Sequence, residues 1–480
     1  MSTNVRDSFF IDGGWLAPST DARIEVISPS TEEVVGSVPE AAPADVDAAV
    51  AAARRAFDET DWPLLTPAQR AAHMRDLAKA LTERVGETAT TITAEMGSVI
   101  SYARAGQAPG PVMMLEYYAD LAESLELTEE RAGMVGSWRV HKQPIGVVGA
   151  IVPWNGPLFL AMYKLAPALL TGCTVVLKPA PESPLSAYHL AEALEAADIP
   201  PGVVNIVQGG RETGRYLVQH PGVDKIAFTG STAAGRTIMA DAAPTLTRLS
   251  LELGGKSAAV LLDDVDLDTA LPEIVFGVCQ NNGQICISNS RLLAPRSRER
   301  EIVDAVTSAM AAQKVGDPFD ETTEIGPLVA ERQRTRVEGF VEGARAAGNT
   351  ITTGGRRPAG LDRGWYVEPT VVSGVRPDQA IARDEVFGPV LSVLAYDTDD
   401  EAVAIANDTI YGLGSAVFSP DIGRAEAIAL KIRAGTLNIN THITDFHVPL
   451  AGWKQSGIGQ EAGPEAIQGY LQTKVVGPYR

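Results

Sequence analysis

Cysteine, histidine and positive charge are all in short supply in this sequence. Its 480 residues include three cysteines and six histidines, without the number or spacing of a disulfide framework or a zinc site. We therefore expect a reducing, cytoplasmic environment and no metal centre. Lysine and arginine total 40 against 60 aspartates and glutamates, a formal net charge of −20. Such a chain repels nucleic acid and anionic lipid at long range, so neither is an expected partner.

Long hydrophobic runs are also missing. No segment reads as an uninterrupted membrane span, and the amino terminus, MSTNVRDSFFIDGG, lacks the basic and then apolar pattern of a secretory signal. Hydrophobic residues make up 45% of the chain, which is ordinary for a globular protein. Because the chain is too long for one hydrophobic core, we predict two or three domains.

The first part of the chain carries clear local signals. Asp12-Gly13 between Phe9–Ile11 and Trp15 predicts a tight β-hairpin. Ala44–Phe57 has helical periodicity, and Thr66 with Gln69 forms a capping box that opens a second helix. Two further helices are predicted before residue 126.

Apolar runs then alternate with amphipathic stretches. The predicted strands are Val147–Val152, Thr174–Lys178, Val203–Val207, Lys225–Phe228 and Leu249–Leu253. Repeated strand and helix units with short connections indicate a doubly wound parallel sheet, which binds ligands beyond the carboxyl ends of its strands.

A second α/β unit is predicted after residue 253. Its strands are expected at Ala258–Leu262, Leu292–Ala294, Tyr366–Val372, Val390–Leu394, Ala416–Phe418 and Leu437–Ile439. Tyr470–Val476 alternates like one more strand, but neither unit offers it an obvious partner.

One cysteine, Cys286, lies in the polar run QNNGQICISNSR at 280–291, after a predicted helix. A cysteine in such a turn can present its sulfur to a cleft as a nucleophile. A buried, inert cysteine is the competing interpretation.

Asn155 follows the first buried strand, where its amide and the N–H of Cys286 would stabilise an oxyanion. Glu252, in ELGGK, is a candidate general base. An asparagine in a turn and a surface glutamate are the simpler alternatives.

Other strand ends carry residues suited to a nucleotide. Lys178 can hold ribose hydroxyls or a phosphate, and Glu385 can bind ribose hydroxyls. The segment FTGSTAAG at 228–235 opens a helix, and helix N-termini bind phosphate. The dinucleotide pattern G-x-G-x-x-G is absent after the first strand, and helix capping alone also explains a Gly-Ser-Thr sequence.

Together these segments resemble the NAD(P)-dependent aldehyde dehydrogenase superfamily, essentially from end to end. The motifs that carry the resemblance are PWNGP at 153–157, KPAPE at 178–182, FTGSTAAG at 228–235, ELGGK at 252–256, GQICISNSR at 283–291, EVFGPV at 385–390 and GWKQSGIG at 452–459. The resemblance implies two doubly wound Rossmann-like α/β domains plus a small β oligomerisation arm. Its implied parts are a dinucleotide-binding domain of residues 1–121 and 145–254, a catalytic domain of residues 255–467, and an arm of residues 122–144 and 468–480.

The resemblance also implies a reaction. Cys286 would attack an aldehyde, Asn155 would hold the oxyanion, and hydride would leave for the nicotinamide. Water activated by Glu252 would hydrolyse the resulting thioester, with Lys164 near this base. The implied cofactor is NAD, with NADP as the alternative, and the implied assembly is a homodimer or homotetramer. The implied cofactor contacts are Val152, Pro153, Trp154, Lys178, Pro181, Glu182, Gly214, Phe228, Gly230, Ser231, Leu253, Gly254, Glu385 and Phe387.

Two positions depart from the family pattern. Many members that prefer NAD carry glutamate where this chain has Pro181, and here Glu182 comes one residue later. The substrate tunnel, where aromatics are frequent, has Gly156 and Leu450 instead. The predicted wall is Gly156, Leu160, Tyr163, Ile285, Ile287, Phe446, His447 and Leu450. This wall favours an apolar aromatic or medium-chain aldehyde.

Three other functions compete with this interpretation. An acylating dehydrogenase that uses coenzyme A would lack the glutamate at 252. A cysteine hydrolase would need a histidine beside Cys286, for which His442 and His447 are the candidates, and would leave the nucleotide motifs unexplained. A nucleotide-binding protein without catalysis would not need Asn155, Glu252 and Cys286 together.

Overall fold

The computed structural model describes residues 4–479. Residues 1–3, in the predicted dinucleotide-binding domain, and residue 480, in the predicted arm, lie outside the described residues. Its strands in chain order are β1 (Asn4–Val5), β2 (Phe9–Ile11), β3 (Gly14–Leu16), β4 (Arg23–Ile27), β5 (Val34–Pro39), β6 (Thr128–Ala132), β7 (Ser137–Pro144), β8 (Val147–Ile151), β9 (Thr174–Lys178), β10 (Val204–Ile206), β11 (Lys225–Thr229), β12 (Arg248–Glu252), β13 (Ala258–Leu261), β14 (Arg291–Pro295), β15 (Thr350–Thr353), β16 (Thr370–Ser373), β17 (Val390–Tyr396), β18 (Gly414–Phe418), β19 (Thr436–Ile439), β20 (Gly457–Ile458) and β21 (Leu471–Tyr479).

The α-helices in chain order are α1 (Pro43–Asp58), α2 (Pro67–Thr82), α3 (Val85–Met96), α4 (Ile100–Tyr102), α5 (Gly110–Leu121), α6 (Pro157–Thr171), α7 (Ser186–Ala196), α8 (Arg211–Gln219), α9 (Thr232–Ala242), α10 (Leu267–Cys279), α11 (Glu299–Ala311), α12 (Glu331–Ala346), α13 (Ala380–Arg383), α14 (Asp399–Asn407) and α15 (Ile422–Ala429). Within residues 4–479, none of the helices has the length and hydropathy needed to cross a membrane.

Local chemistry explains several of these boundaries. Asp12 and Gly13 both have positive φ, 58° and 75°, as the predicted hairpin turn between β2 and β3 requires. The Thr66 side chain accepts a hydrogen bond from the N–H of Gln69 at the start of α2, which confirms the capping box.

The first large sheet has eight strands in the order β20-β12-β11-β8-β9-β10-β2-β3. The five strands from β12 to β10 are parallel, and β20, β2 and β3 extend the sheet antiparallel at its two edges. The chain passes from β8 to β9 on one side and later to β11 on the other side of β8. The carboxyl ends of β8 and β11 therefore flank a topological switch point, the usual ligand site of such sheets.

The second large sheet has seven strands in the order β15-β16-β17-β14-β13-β18-β19. All strand pairs except β15 with β16 are parallel. Because β17, β14 and β13 are parallel neighbours, the segments that precede them lie at one edge of the sheet. These segments carry EVFGP, the Cys286 loop and ELGGK, respectively.

Two smaller sheets complete the fold. β21 pairs with β7, and β7 with β6, so the strand predicted at Tyr470–Val476 finds its partner in the chain segment just before β8. The other sheet, β1-β5-β4, was not predicted.

Two sequence predictions differ from the structure. The strand predicted at Tyr366–Val372 begins only at Thr370; Tyr366 and Val367 are buried but lie outside the ladder, because an apolar run signals burial and not hydrogen bonding. The sequence Ser183-Pro184 predicts the start of a helix, but α7 begins three residues later, at Ser186. Its first N–H groups are capped by Glu95, whose carboxylate accepts from Leu185 and Ser186 at 2.7 and 3.1 Å.

Candidate active site

The loop that carries Cys286 begins with an unusual turn. Asn281, Asn282 and Gly283 follow α10 with φ angles of 51°, 61° and 75°, so three successive residues are left-handed. Asparagine and glycine tolerate this conformation better than other residues. A Cβ on Gly283 would stand 2.2 Å from the main chain of Gly388, so only glycine fits there.

The amides of this loop bind main-chain groups of distant segments. Asn282 donates to the carbonyls of Gly97 and Pro327 at 2.8 and 2.9 Å and accepts from the N–H of Gly326 at 2.7 Å. Gln284 accepts from the N–H of Val329 at 3.0 Å. The hydrogen bonds of these amide side chains therefore fix the position of the loop.

Cys286 itself is partly exposed, whereas Cys173 and Cys279 are buried. A Cβ on Gly255 would lie 2.3 Å from the Cys286 carbonyl oxygen, so the glycine of ELGGK lets the two segments touch. Desolvation, with the nearby carboxylates of Glu385 and Glu252, raises the pKa of the Cys286 thiol to about 12. A base that removes the thiol proton is therefore needed for nucleophilic attack near neutral pH.

Asn155 lies directly against this loop. Its Nδ2 donates to the Gln284 carbonyl at 2.9 Å, and the Asn155 carbonyl accepts from Asn281 Nδ2 at 2.7 Å. One of the two N–H bonds of the Asn155 amide is thereby used, and the second stays available as a donor. The structure thus brings Asn155 and the Cys286 loop together, although they are distant in sequence.

Glu252 ends β12 and is 3% exposed, with no hydrogen-bond partner for either carboxylate oxygen among the described residues. Burial, and then the charge of Glu461, raises the pKa of Glu252 well above its ordinary value. A carboxylate that is buried, unpartnered and close enough to perturb Cys286 is suited to accept a proton.

Lys164, on α6, binds a residue that sequence reasoning missed. Its ammonium donates to Glu461 Oε1 at 2.7 Å and to Thr229 Oγ1 at 2.6 Å, and all three side chains are buried. The Lys164 charge opposes the rise in the Glu252 pKa. Since 297 residues separate Lys164 from Glu461, no local sequence signal announces this pair.

The predicted nucleotide residues gather at the switch point of the first sheet. Ser231 caps α9 by accepting from the N–H of Ala234 at 3.2 Å, just beyond β11. Lys178 donates to the Pro179 and Gly209 carbonyls at 2.9 and 2.7 Å, which leaves one of its three N–H bonds free. A helix N-terminus, a buried ammonium and close-packed glycines suit the pyrophosphate and ribose groups of a dinucleotide.

The glycines here allow close packing. A Cβ on Gly214 would approach Lys178 Cε to 3.3 Å, one on Gly230 would strike the Phe228 ring at 2.4 Å, and one on Gly254 would strike Glu385 Oε2 at 2.6 Å. Larger residues would therefore disturb the side chains that surround the site.

Glu385 is held by the main chain of the ELGGK segment. The N–H of Gly255 donates to its Oε1 at 3.1 Å. Desolvation nevertheless raises its pKa to about 7. Phe387 packs edge-on against Trp154 with ring centroids 5.4 Å apart, so the segments after β8 and before β17 meet.

The other residues predicted to contact the nucleotide lie just after β8, β9 and β12. The N–H of Val152, before Pro153, donates to the Lys178 carbonyl at 3.1 Å, and that of Leu253 to the Ser456 carbonyl at 2.8 Å. Glu182, after Pro181, forms an ion pair with Arg332 at 2.5 Å.

The predicted substrate wall is only partly a contiguous surface. Leu160, Phe446 and Leu450 pack against the largest hydrophobic core, next to the buried Tyr163. Two aromatic residues that sequence reasoning missed join them: Phe159 is 5.2 Å from Tyr163, and Tyr117 is 5.8 Å from Phe446, between ring centroids.

The other predicted wall residues differ in their surroundings. Ile287 and Leu450 line a separate cavity of about 100 Å³. Ile285 is half-buried beside the cysteine, and Gly156 caps α6, where a Cβ would lie 3.3 Å from Leu160 Cγ. His447 is exposed and its Nδ1 lies 2.6 Å from Asp445 Oδ1.

Comparison with known proteins defines the class. Residues 15–476 match the aldehyde dehydrogenase family. Geranial dehydrogenase of Castellaniella defragrans is 45% identical over 97% of this chain and 98% of its own length. The chain belongs to the aldehyde dehydrogenase family, and its enzyme class is that of NAD(P)-dependent aldehyde dehydrogenases.

Two solved structures are similar over nearly their whole length. An aldehyde dehydrogenase of Mycobacterium tuberculosis complexed with NAD⁺ has 47% identity and a TM-score of 0.97, covering 99% of this chain and 98% of that one. A mutant of aldehyde dehydrogenase C from Pseudomonas syringae, complexed with NAD⁺ and octanal, has 41% identity and a TM-score of 0.96 with the same coverage. The α/β fold predicted from the sequence is confirmed.

We expect Lys164→Met to destabilise the protein by about 3–5 kcal/mol, because it leaves the Glu461 carboxylate buried without its counter-charge. The substitution should also raise the pKa of Glu252 further. If ionised Glu252 is the base, kcat increases as Glu252 loses its proton, and this increase should move to higher pH. Thermal denaturation and kcat between pH 6 and 10 measure the two effects. Lys164→Arg, which keeps the charge, should show a much smaller shift of the profile; equal profiles in both variants would contradict this account.

Proposed function

We propose that this enzyme oxidises an aldehyde to the carboxylic acid with Cys286 as nucleophile, Asn155 as oxyanion donor and Glu252 as general base. The observation that supports this most is the convergence of the three residues, with neither Glu252 oxygen hydrogen-bonded to any other group of residues 4–479. A cysteine hydrolase is less well supported, since His442 Nδ1 is bonded to Asn289 and His447 to Asp445. A free Glu252 also argues against transfer of the acyl group to coenzyme A.

In the first half of the reaction, Glu252 takes the thiol proton and Cys286 Sγ bonds to the carbonyl carbon. The amide of Asn155 and the N–H of Cys286 hold the negative oxygen of the hemithioacetal. NAD, when bound, supplies the hydride acceptor. Loss of the hydride from the former aldehyde carbon leaves a thioester on Cys286, and the proton taken from the thiol passes from Glu252 to solvent. In the second half, the ionised Glu252 takes a proton from water, the water oxygen bonds to the thioester carbon, and the C–S bond breaks. The carboxylic acid leaves, and Glu252 returns the proton to the Cys286 sulfur.

Cys286→Ala should lower aldehyde oxidation by on the order of a thousandfold or more while NAD still binds, because the cysteine supplies a covalent bond and no nucleotide contact. Steady-state rates and fluorescence titration with NAD test both parts. Cys279→Ser, at a buried cysteine outside this site, is the matched control and should keep most of the activity. Substantial dehydrogenase activity in Cys286→Ala would refute the assignment.

Glu252→Gln should block hydrolysis of the thioester more strongly than its formation, because the Cys286 thiol can also lose its proton to solvent. About one equivalent of NADH should then appear per site, and the acyl-enzyme should persist. The pKa of Glu252 is elevated, so raising the pH converts Glu252 to its basic form. In the wild type, kcat should therefore rise with pH as long as hydrolysis is the slowest step. The Glu252→Gln variant should lose this rise. Intact-protein mass spectrometry detects the adduct. A variant without burst or adduct would mean that Glu252 is needed chiefly to activate Cys286.

We infer that NAD is the better cofactor and that NADP is also used. Pro181 places no charge where a carboxylate would repel the 2′-phosphate of NADP. Glu182, one residue later, supplies a carboxylate that would repel this phosphate and so favours NAD, although Arg332 at 2.5 Å neutralises it in part. The adjacent Lys178 ammonium is kept 5% exposed and favours an anionic group.

The substrate is proposed to be an apolar aldehyde, medium-chain or aromatic. Leu160, Phe446 and Leu450 provide hydrocarbon surface, and Phe159 and Tyr163 add aromatic rings. None of these groups can pair with a substrate carboxylate, and a charge buried without a partner is costly. The similarity to a geranial dehydrogenase and to an enzyme complexed with octanal supports this choice, whereas the similarity to betaine aldehyde and aminoaldehyde dehydrogenases, at 41–43% identity, does not.

Along straight-chain aldehydes from two to about eight carbons, kcat/KM should rise, because each buried methylene contributes up to about 0.8 kcal/mol, roughly fourfold. Gly156→Phe should flatten the rise, since a side chain there projects toward Leu160. Gly86→Phe is the control, because a Cβ at Gly86 meets nothing within 4 Å. Acetaldehyde or succinic semialdehyde as the best substrate would refute the proposal.

We also propose that the sheet β21-β7-β6 joins subunits into a homodimer or homotetramer, and that it forms the arm implied for residues 122–144 and 468–480. Eight of the nine residues of β21 are exposed, among them Val475, Val476 and Tyr479 at 55, 41 and 42%. Such apolar exposure on a strand is typical of a contact surface.

A further inference from the structure

Gln107 is a buried amide outside the proposed catalytic residues, and it has no assigned role. It is 4% exposed and ends a single π-helical turn, Ala103–Gln107, that lies between α4 and α5. The N–H of Ala108 closes this turn by donating to the Ala103 carbonyl at 3.0 Å, five residues back. Single π-turns are frequent at functional sites, so the contacts of the Gln107 side chain are informative.

The Gln107 side chain contacts the loop that carries Cys286. Its Nε2 donates to Asn281 Oδ1 at 3.0 Å, across 174 residues of sequence, and to Ser98 Oγ at 3.0 Å. Asn281 is the first of the three left-handed residues of that loop, and it is buried. The bond therefore joins the segment before α5 to the turn that leads to Cys286.

The Asn281 amide connects Gln107 to Asn155. Its Nδ2 donates to the Asn155 carbonyl at 2.7 Å and, at the longer distance of 3.5 Å, to the Gln284 carbonyl. A carbonyl oxygen only accepts, so the nitrogen of the Asn281 amide must face these two groups and its oxygen must face Gln107. Gln107 Nε2 is then the donor that the buried Asn281 oxygen requires.

The Asn155 side chain is held by the same loop. Its Nδ2 donates to the Gln284 carbonyl at 2.9 Å, so the main chain and the side chain of Asn155 each bind a group of residues 281–284. The second N–H of this amide is the proposed oxyanion donor, and such a donor works only within a narrow range of distances. Loss of the bond from Asn281 would let Asn155 shift relative to Cys286.

We propose that Gln107 is a positioning residue for the oxyanion site: its amide orients Asn281, and Asn281 in turn fixes Asn155 beside Cys286. Gln107 acts through Asn281 and not on the reacting atoms. The inference rests on the proposed aldehyde oxidation, in which Asn155 holds the negative oxygen of the hemithioacetal. Because this oxygen becomes negative only during the reaction, a misplaced Asn155 should lower kcat far more than it weakens binding of the aldehyde.

The first test is Gln107→Leu, which removes the donor and keeps a buried side chain of similar size. We expect kcat to fall by about ten- to a hundredfold, the effect of a misplacement of about 1 Å near the reacting atoms, with a much smaller change in KM for the aldehyde. Steady-state rates with NAD measure both constants. Asn205→Leu is the matched control, because Asn205 is a buried amide of β10 that binds Gly202 and Asp12 away from the active site; this variant should keep a kcat close to the wild-type value.

A second variant, Gln107→Glu, keeps the shape of the side chain and makes the donor depend on pH. A protonated carboxyl can donate its O–H to Asn281 Oδ1, whereas an ionised carboxylate only accepts and would repel that oxygen. Burial raises the pKa of a carboxyl group, so both forms should be sampled between about pH 6 and pH 9. The ratio of kcat in this variant to kcat in the wild type should therefore rise as the pH is lowered, and the same ratio for Gln107→Leu should stay constant.

A double substitution separates positioning from a general effect on the fold. Asn155→Ala removes the amide that Gln107 is proposed to position, and by itself it should lower kcat by about a hundred- to a thousandfold. In that background Gln107→Leu should cause little further loss, because the positioned group is already absent. An unchanged kcat in Gln107→Leu, an equal loss in both backgrounds, or a constant ratio for Gln107→Glu overturns the proposal.

The single variants distinguish this inference from the proposed function. If Asn155→Ala lowers kcat but Gln107→Leu does not, only the role of Gln107 is wrong. If Asn155→Ala keeps the wild-type rate, or if no aldehyde is oxidised by the wild type, the proposed function itself fails. Fluorescence titration with NAD checks that each variant is folded.

Discussion

The left-handed turn at Asn281–Gly283 is the constraint on which the rest of the site depends. It reverses the chain between α10 and Cys286, and such a turn persists only where the surroundings hold it. Here the side chains of Asn281, Asn282 and Gln284 bind main-chain groups of Gly97 just after α3, of residues 326–329 and of Asn155. The position of Cys286 is thus set jointly by Asn155, which follows β8 of the first large sheet, and by these other segments.

Burial sets the chemistry of that site. Glu252, Glu461 and Lys164 lie close together out of contact with water, where their mutual charges act strongly. Lys164 and Glu461 neutralise each other, and Glu252 remains without a hydrogen-bond partner in the described part of the chain. An unpaired buried carboxylate lowers stability, and its raised pKa makes it a stronger base once it is ionised. Desolvation likewise raises the pKa of the Cys286 thiol, so the thiol needs a base close by.

The proposed recognition of the aldehyde rests on the ring and hydrocarbon surface around Tyr163 and Phe446. Such a surface would discriminate among aldehydes by size, because dispersion and desolvation are not directional.

The sequence by itself determined the local structure and the kinds of residue at the strand ends. The hairpin at Asp12-Gly13, the capping box at Thr66 and the alternation of strands and helices follow from short-range sterics and periodicity. The motifs also sufficed for the family, since they record residues at the ends of particular strands. Only the tertiary structure decided which ends meet: the carboxyl ends of β8, β11 and β12 with the amino ends of β13, β14 and β17.

For the same reason the sequence did not reveal the Lys164–Glu461 pair, the cap that Glu95 provides for α7, or the cavity beside Ile287. Each depends on side chains brought together over long separations, 297 residues in the first case. Periodicity records which face of an element is buried, but it carries no information about which distant side chain it will contact. That choice is made by the packing of the two sheets and their helices.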